Sequence, residues 1–183
     1  MRLNAEGVGC LLIGETMRMR ALGELLAAQG VETFAPPPGA DLQSSVQEGL
    51  RAARRRGGTC VAAEGEMWAA ALSLAAQLCV DRVALVAPTD RIRYPKDEFE
   101  KQIGRLKGYA RRNLFFCVSE VLVLDTEATR GDRRMNAVIG RLCNARVHRL
   151  LMPVQRWTNC EFSPLEAAVR FLGEGDLGFS LAK

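Results

Sequence analysis

Thr59-Cys60-Val61-Ala62-Ala63-Glu64-Gly65-Glu66-Met67-Trp68-Ala69-Ala70-Ala71-Leu72 is the stretch whose reading decides the fold. A short apolar run, Thr59–Ala63, stops at Glu64-Gly65, and a longer run of helical period, Met67–Cys79, follows at once. The next apolar run is Arg82–Ala87, so the unit reads strand, helix, strand, as parallel strands joined by a crossover helix do. Outward from this unit the alternation repeats. Strands are expected at Val8–Gly14, Val31–Ala35, Glu120–Leu124 and Arg146–Met152 as well, and helices at Met17–Gln29, Leu42–Arg56, Asp97–Asn113, Arg134–Asn144 and Pro164–Leu172. This pattern predicts the α/β class: three α/β/α layers around a six-stranded, mostly parallel sheet. Gly30 is a stop for the first helix and Gly57-Gly58 for the second.

The 183 residues are 48% apolar and 25% charged, with a mean hydropathy near zero, as in ordinary globular proteins. One domain over residues 1–183 is expected, since the only proline cluster, Pro36-Pro37-Pro38-Gly39, reads as a loop. The 25 Lys and Arg against 21 Asp and Glu leave a formal charge of +4, too small an excess to name nucleic acid or a membrane as partner. No apolar run reaches the roughly 18 to 20 residues of a membrane span, and Met1–Glu6 lacks the order of a signal peptide, so a cytoplasmic location is expected. The six cysteines are spread without a Cys-x-x-Cys pair and are expected to be reduced. With one histidine, His148, a zinc site of the usual Cys/His spacing is not expected. Nor is a cofactor. Gly7-x-Gly9 precedes the first strand, and Gly14-Glu15-Thr16 has one glycine where a dinucleotide fingerprint needs three. The basic stretch 88–113 reads as a solvated helix face.

Four further stretches carry a resemblance. Val8-Gly9-Cys10-Leu11-Leu12-Ile13-Gly14, a helix, and Gly30-Val31-Glu32-Thr33-Phe34-Ala35-Pro36 open the chain. Val121-Leu122-Val123-Leu124-Asp125-Thr126-Glu127 and Val147-His148-Arg149-Leu150-Leu151-Met152-Pro153 close the series. In order and spacing the elements resemble the α/β-hydrolase core: the oxyanion strand, the nucleophile elbow with its helix, the strand before the acid and the strand before the histidine. The family usually has two more amino-terminal strands, which this length does not accommodate. The resemblance implies the spatial strand order 2-1-3-4-5-6. It also implies a crevice at the switch point between the first and third strands, edged by Gly14, Glu15, Thr16, Glu64, Gly65, Glu66 and Trp68.

The family's elbow is Gly-x-Ser-x-Gly; here the positions read Glu64-Gly65-Glu66-Met67-Trp68, so the resemblance places Glu66 at the nucleophile. An ester formed on a carboxylate must be opened by a base-activated water. The acid position falls near Thr129 and the histidine near Trp157, and His148 lies roughly nine residues too early. Asp125 and Asp132 flank the acid position, but an acid with no imidazole to orient has no triad role. Ser73 and Cys60 read as structural. For Glu66 the bland reading is a carboxylate favoured by a helix amino end.

Trp68 and Trp157 map to the rim at the carboxyl ends of strands, where they either line the crevice or fill it. Met17, Met19 and Met67 are candidates for adaptable apolar surface near the same rim, or for core packing. Two functions from different classes follow. The first is a catalytically degenerate protein that binds a small molecule or a protein partner through the crevice. The alternative is a hydrolase of small acyl esters using a non-standard set that includes Glu66. A structural subunit or homo-oligomer would announce itself by a large apolar patch.

Overall fold

The computed structural model describes residues 9–56, 60–78, 80, 82–91, 95–112, 118–129, 133–141, 145–152 and 164–174. Strands β1 (Gly9–Ile13), β2 (Glu32–Phe34), β3 (Cys60–Glu64), β4 (Arg82–Val86), β5 (Glu120–Thr126) and β6 (Arg146–Met152) alternate with helices α1 (Met17–Ala28), α2 (Leu42–Arg56), α3 (Trp68–Leu78), α4 (Lys96–Arg111), α5 (Arg133–Ile139) and α6 (Pro164–Glu174). The strands form one sheet in the order β2-β1-β3-β4-β5-β6, and every pairing among them is parallel.

The period-two alternation of the strands divides their side chains between two apolar layers. Leu11, Ile13, Val61, Ala63, Val83, Leu85, Val121 and Val123 pack with α2, α3, α4 and α5. Cys10, Leu12, Cys60, Ala62, Ala84, Val86, Leu122 and Leu124 pack with α1 and α6. Both faces are therefore covered, which is why β1, β3 and β4 read as nearly continuous apolar runs. No helix among the described residues is long and apolar enough to cross a membrane.

Most elements differ from expectation by a residue or two at an end, and three of these boundaries have local reasons. Strand β3 takes in Glu64, which pairs with Val86, and β5 runs on to Thr126 because Leu151 and Met152 of β6 supply partners for Asp125 and Thr126. Helix α5 stops at Ile139 instead of continuing to Asn144. There Gly140 donates to the carbonyl of Asn136 but Arg141 reaches only Val138, so the turn tightens and the helix runs out at its glycine.

Cys10 and Cys60 are free thiols, adjacent across β1 and β3 and fully buried. The Cys60 thiol beside it and burial together push Cys10 well above its ordinary range. The other four cysteines lie outside the described residues.

Candidate functional site

Chain direction reverses its progress across the sheet between β1 and β3: β1 leads to β2 on one side, and the next strand returns to β1's other side. The loops leaving two such strands diverge, and a crevice opens beyond their carboxyl ends. Here its volume is about 730 Å³. Gly14–Arg18 follow β1, Pro36, Pro37, Gly39 and Ala40 follow β2, Glu64–Met67 end β3 and lead into α3, and Ala87, Thr89 and Arg91 follow β4. Ser45, from the first turn of α2, completes the lining.

Glu64 organises the floor. As the last residue of β3 it points towards the face covered by α1, where its carboxylate accepts from the Thr16 hydroxyl and from Arg18 Nη1 at 3.3 Å. Thr16 is the N-cap of α1, its hydroxyl accepting from the Met19 amide. A buried carboxylate is thus held by a cap hydroxyl and a half-exposed guanidinium at the positive end of a helix, which offsets its loss of water. Gly14, at φ +148°, lets the chain pass close over this pair; a Cβ there would meet Met19 Cγ at 3.0 Å and Glu64 Cβ at 3.3 Å. On the rim, the Glu15 carboxylate accepts from the Gly39 amide and ties the β1 loop to the proline loop.

The turn from β3 into α3 pivots on Gly65, at φ +59°, inside a 3₁₀ turn spanning Gly65–Met67. The positive-φ residue of the turn is a glycine, for which this conformation has no steric cost, and it presents no side chain. Glu66 stands one position further on, half-buried at the crevice wall, with no hydrogen-bond or ion-pair partner among the described residues. Among the described residues Ala87 alone has a positive φ, +44°, without being a glycine; it lines the crevice, and its amide donates to the Leu124 carbonyl at 2.9 Å. For a residue with a Cβ that conformation is strained, and such strain clusters at sites.

Six of the residues expected at the crevice are there: Gly14, Glu15, Thr16, Glu64, Gly65 and Glu66. Trp68 is not on the rim. It is fully buried at the start of α3, edge-on to Phe99 of α4 at 5.8 Å, where the two rings pack between the helices. Its indole N–H donates to the Thr89 carbonyl at 3.1 Å, and the Thr89 amide donates to the Gly65 carbonyl at 3.3 Å. Trp68 therefore holds the β4 loop against the elbow without touching the cavity. Trp157 and Asp132 lie outside the described residues. Met17 is exposed at the mouth, Met67 lines the wall, and Met19 is core.

Arg18, Ser45, Ala87, Thr89 and Arg91 were not expected. The rule that ligand sites gather after parallel strands would have found all but Ser45, whose place depends on how α2 leans over the sheet. Ser45 is 1% exposed, and its hydroxyl has no hydrogen-bond partner among the described residues.

The remaining triad candidates fall elsewhere. His148, the only histidine of the chain, sits in β6, edge-on to Phe171, with Nε2 3.9 Å from Glu120 at the start of β5. β6 is three strands from β3, about 14 Å at the usual strand spacing. Thr129, at the acid position, closes a turn by accepting from the Thr126 amide at 2.9 Å. Asp125 faces α5, where it accepts from Arg149 at 2.7 Å. Ser73 bonds to Gln102 of α4 at 3.1 Å and not to its own helix. Among the described residues no group of three or more His, Cys, Asp or Glu is arranged to hold a metal ion.

No protein-family model matches the sequence, and no curated protein matches it. Solved structures do resemble it. A structure from work on LipS and LipT, two metagenome-derived lipolytic enzymes, superposes with a TM-score of 0.57 at 13% identity, over 91% of this chain and 93% of that one. Est1E from Butyrivibrio proteoclasticus gives 0.56 at 13% identity, over 92% and 86%. The α/β-superfamily hydrolase XCC1541 from Xanthomonas campestris pv. campestris gives 0.55 at 14%, over 92% and 95%. The chain has the α/β-hydrolase fold, with six strands among the described residues. At these identities the likeness is one of fold, and function has to be argued from the site.

Proposed function

We propose that this protein is a catalytically degenerate α/β-hydrolase-like protein that binds a small molecule in the crevice beyond β1, β2, β3 and β4. The observation that carries the proposal is the elbow: its positive-φ residue is Gly65, which has no nucleophile to offer, and the single imidazole of the chain is in β6. Binding is supported by what remains. The volume is that of a small-molecule site. The wall mixes apolar Met17, Pro36, Pro37 and Met67 with Glu66, Arg91 and the Ser45 hydroxyl. An unpartnered buried hydroxyl costs about 1–3 kcal/mol, which a ligand accepting or donating there recovers.

The alternative is a hydrolase of small acyl esters in which Glu66 attacks or acts as base. It is favoured by one observation, that the Glu66 carboxylate lines the cavity with no partner among the described residues. It lacks a group to activate the second water. The binding reading is tested by screening neutral and charged fragments by amide NMR. Saturable shifts at Gly14, Thr16, Gly65 and Thr89 are expected, reduced in Ser45→Ala. No fragment shifting these amides would overturn it.

A further inference from the structure

Apart from the crevice residues, towards the β5–β6 edge of the sheet, Asp125 raises a separate question. It is 3% exposed near the end of β5. Its Oδ2 accepts from Arg149 Nη1 of β6 at 2.7 Å, and Arg149 Nη2 donates to the Asn136 Oδ1 of α5. Its other oxygen, Oδ1, has no hydrogen-bond partner. These three residues and Leu151, half-exposed, line a cavity of about 530 Å³. A buried carboxylate that keeps one oxygen unpaired is costly unless something outside the protein serves it.

We infer that this cavity is a second binding site, for a neutral group that both donates and accepts hydrogen bonds, an alcohol or a primary carboxamide. The charges select it. Asp125 and Arg149 already neutralise one another, so an ammonium brought to Oδ1 would meet the guanidinium and an anion brought to Arg149 would meet the carboxylate. A guanidinium has five N–H donors, and two are used here. The site thus offers an acceptor beside spare donors. A hydroxyl or a carboxamide answers both from one group; an ammonium has only donors and an acetate ion only acceptors at neutral pH, and inorganic phosphate, though it keeps a P–OH donor, brings a negative charge against the Asp125 carboxylate. Leu151 gives the carbon skeleton of such a ligand an apolar wall.

The inference does not depend on the crevice, and its test is read at different residues. The Arg149 and Asn136 side-chain N–H signals are followed by NMR in the wild-type protein during titration with glycerol, acetamide, methylammonium, acetate and inorganic phosphate. Saturable shifts are expected with glycerol or acetamide, and which of the two binds separates the alcohol from the carboxamide. The charged probes should bind more weakly by about tenfold or more, and Asp125→Ala should lose the saturable shift. Because removal of Asp125 leaves Arg149 unpaired and endangers folding, the ranking of probes on the wild-type protein stands as a test by itself. A charged probe that binds as well as the neutral ones would overturn the inference. So would five probes without a saturable shift.

Discussion

Gly65 carries more of the functional argument than any other residue. At φ +59° it pays no steric penalty, and a Cβ built on it meets only Thr89 Cγ2, at 4.0 Å, so there is space for a side chain that is not present. Gly65→Ser is expected to fold with a loss of about 1–2 kcal/mol from the left-handed backbone, and to leave ester hydrolysis at background because no imidazole is near. Denaturation and an esterase assay read the two parts. Ala87 is the converse, a Cβ held at φ +44°; Ala87→Gly is expected to be neutral or stabilising by up to about 1 kcal/mol, while Ala87→Val destabilises. Cys10 gives a pH dependence. A thiol whose folded pKa is raised stabilises the fold fully below its unfolded value, near the ordinary 9.0, and that contribution is lost as pH rises beyond it. The stability of the wild type should therefore fall more steeply above pH 9 than that of Cys10→Ala, in urea titrations at matched pH.

Among the elements, α3 sets the geometry of the crevice. Trp68 fills the α3–α4 interface and fixes the β4 loop through Thr89. Trp68→Ala is expected to cost about 3–5 kcal/mol. Trp68→Phe keeps most of the packing but frees the Thr89 carbonyl; calorimetry should show a smaller loss, with amide exchange faster at Thr89 and Arg91 than elsewhere. The strands were legible because sheets buried on both faces demand continuous apolar runs, and β6 was read from Arg146 to Met152 without error. The turn after β3 was not. Glu64-Gly65-Glu66 in sequence does not say which residue takes the positive φ, and only the pairing of Glu64 with Val86 carries the strand one residue further and moves the pivot to Gly65. Trp68 was misplaced for the same reason, since the 3₁₀ turn that precedes α3 rotates it from the rim into the core.

At the level of the whole molecule, the resemblance to the α/β-hydrolase core implied the strand order, and the switch point in that order implied the crevice with six of its residues. Arg91 and Ser45 reach the cavity through the lie of a loop and the tilt of a helix, which no local pattern encodes. The same order leaves His148 on the outermost strand. On our proposal the crevice binds without hydrolysing, since Gly65 holds the positive φ of the turn and the chain's one imidazole stands on β6. The most direct measurement of that claim is turnover of a short series of activated acyl esters by the purified protein, beside Glu66→Ala and heat-denatured protein. Turnover no higher than the denatured control for every ester is the result predicted; turnover well above that control and abolished in Glu66→Ala would contradict the account.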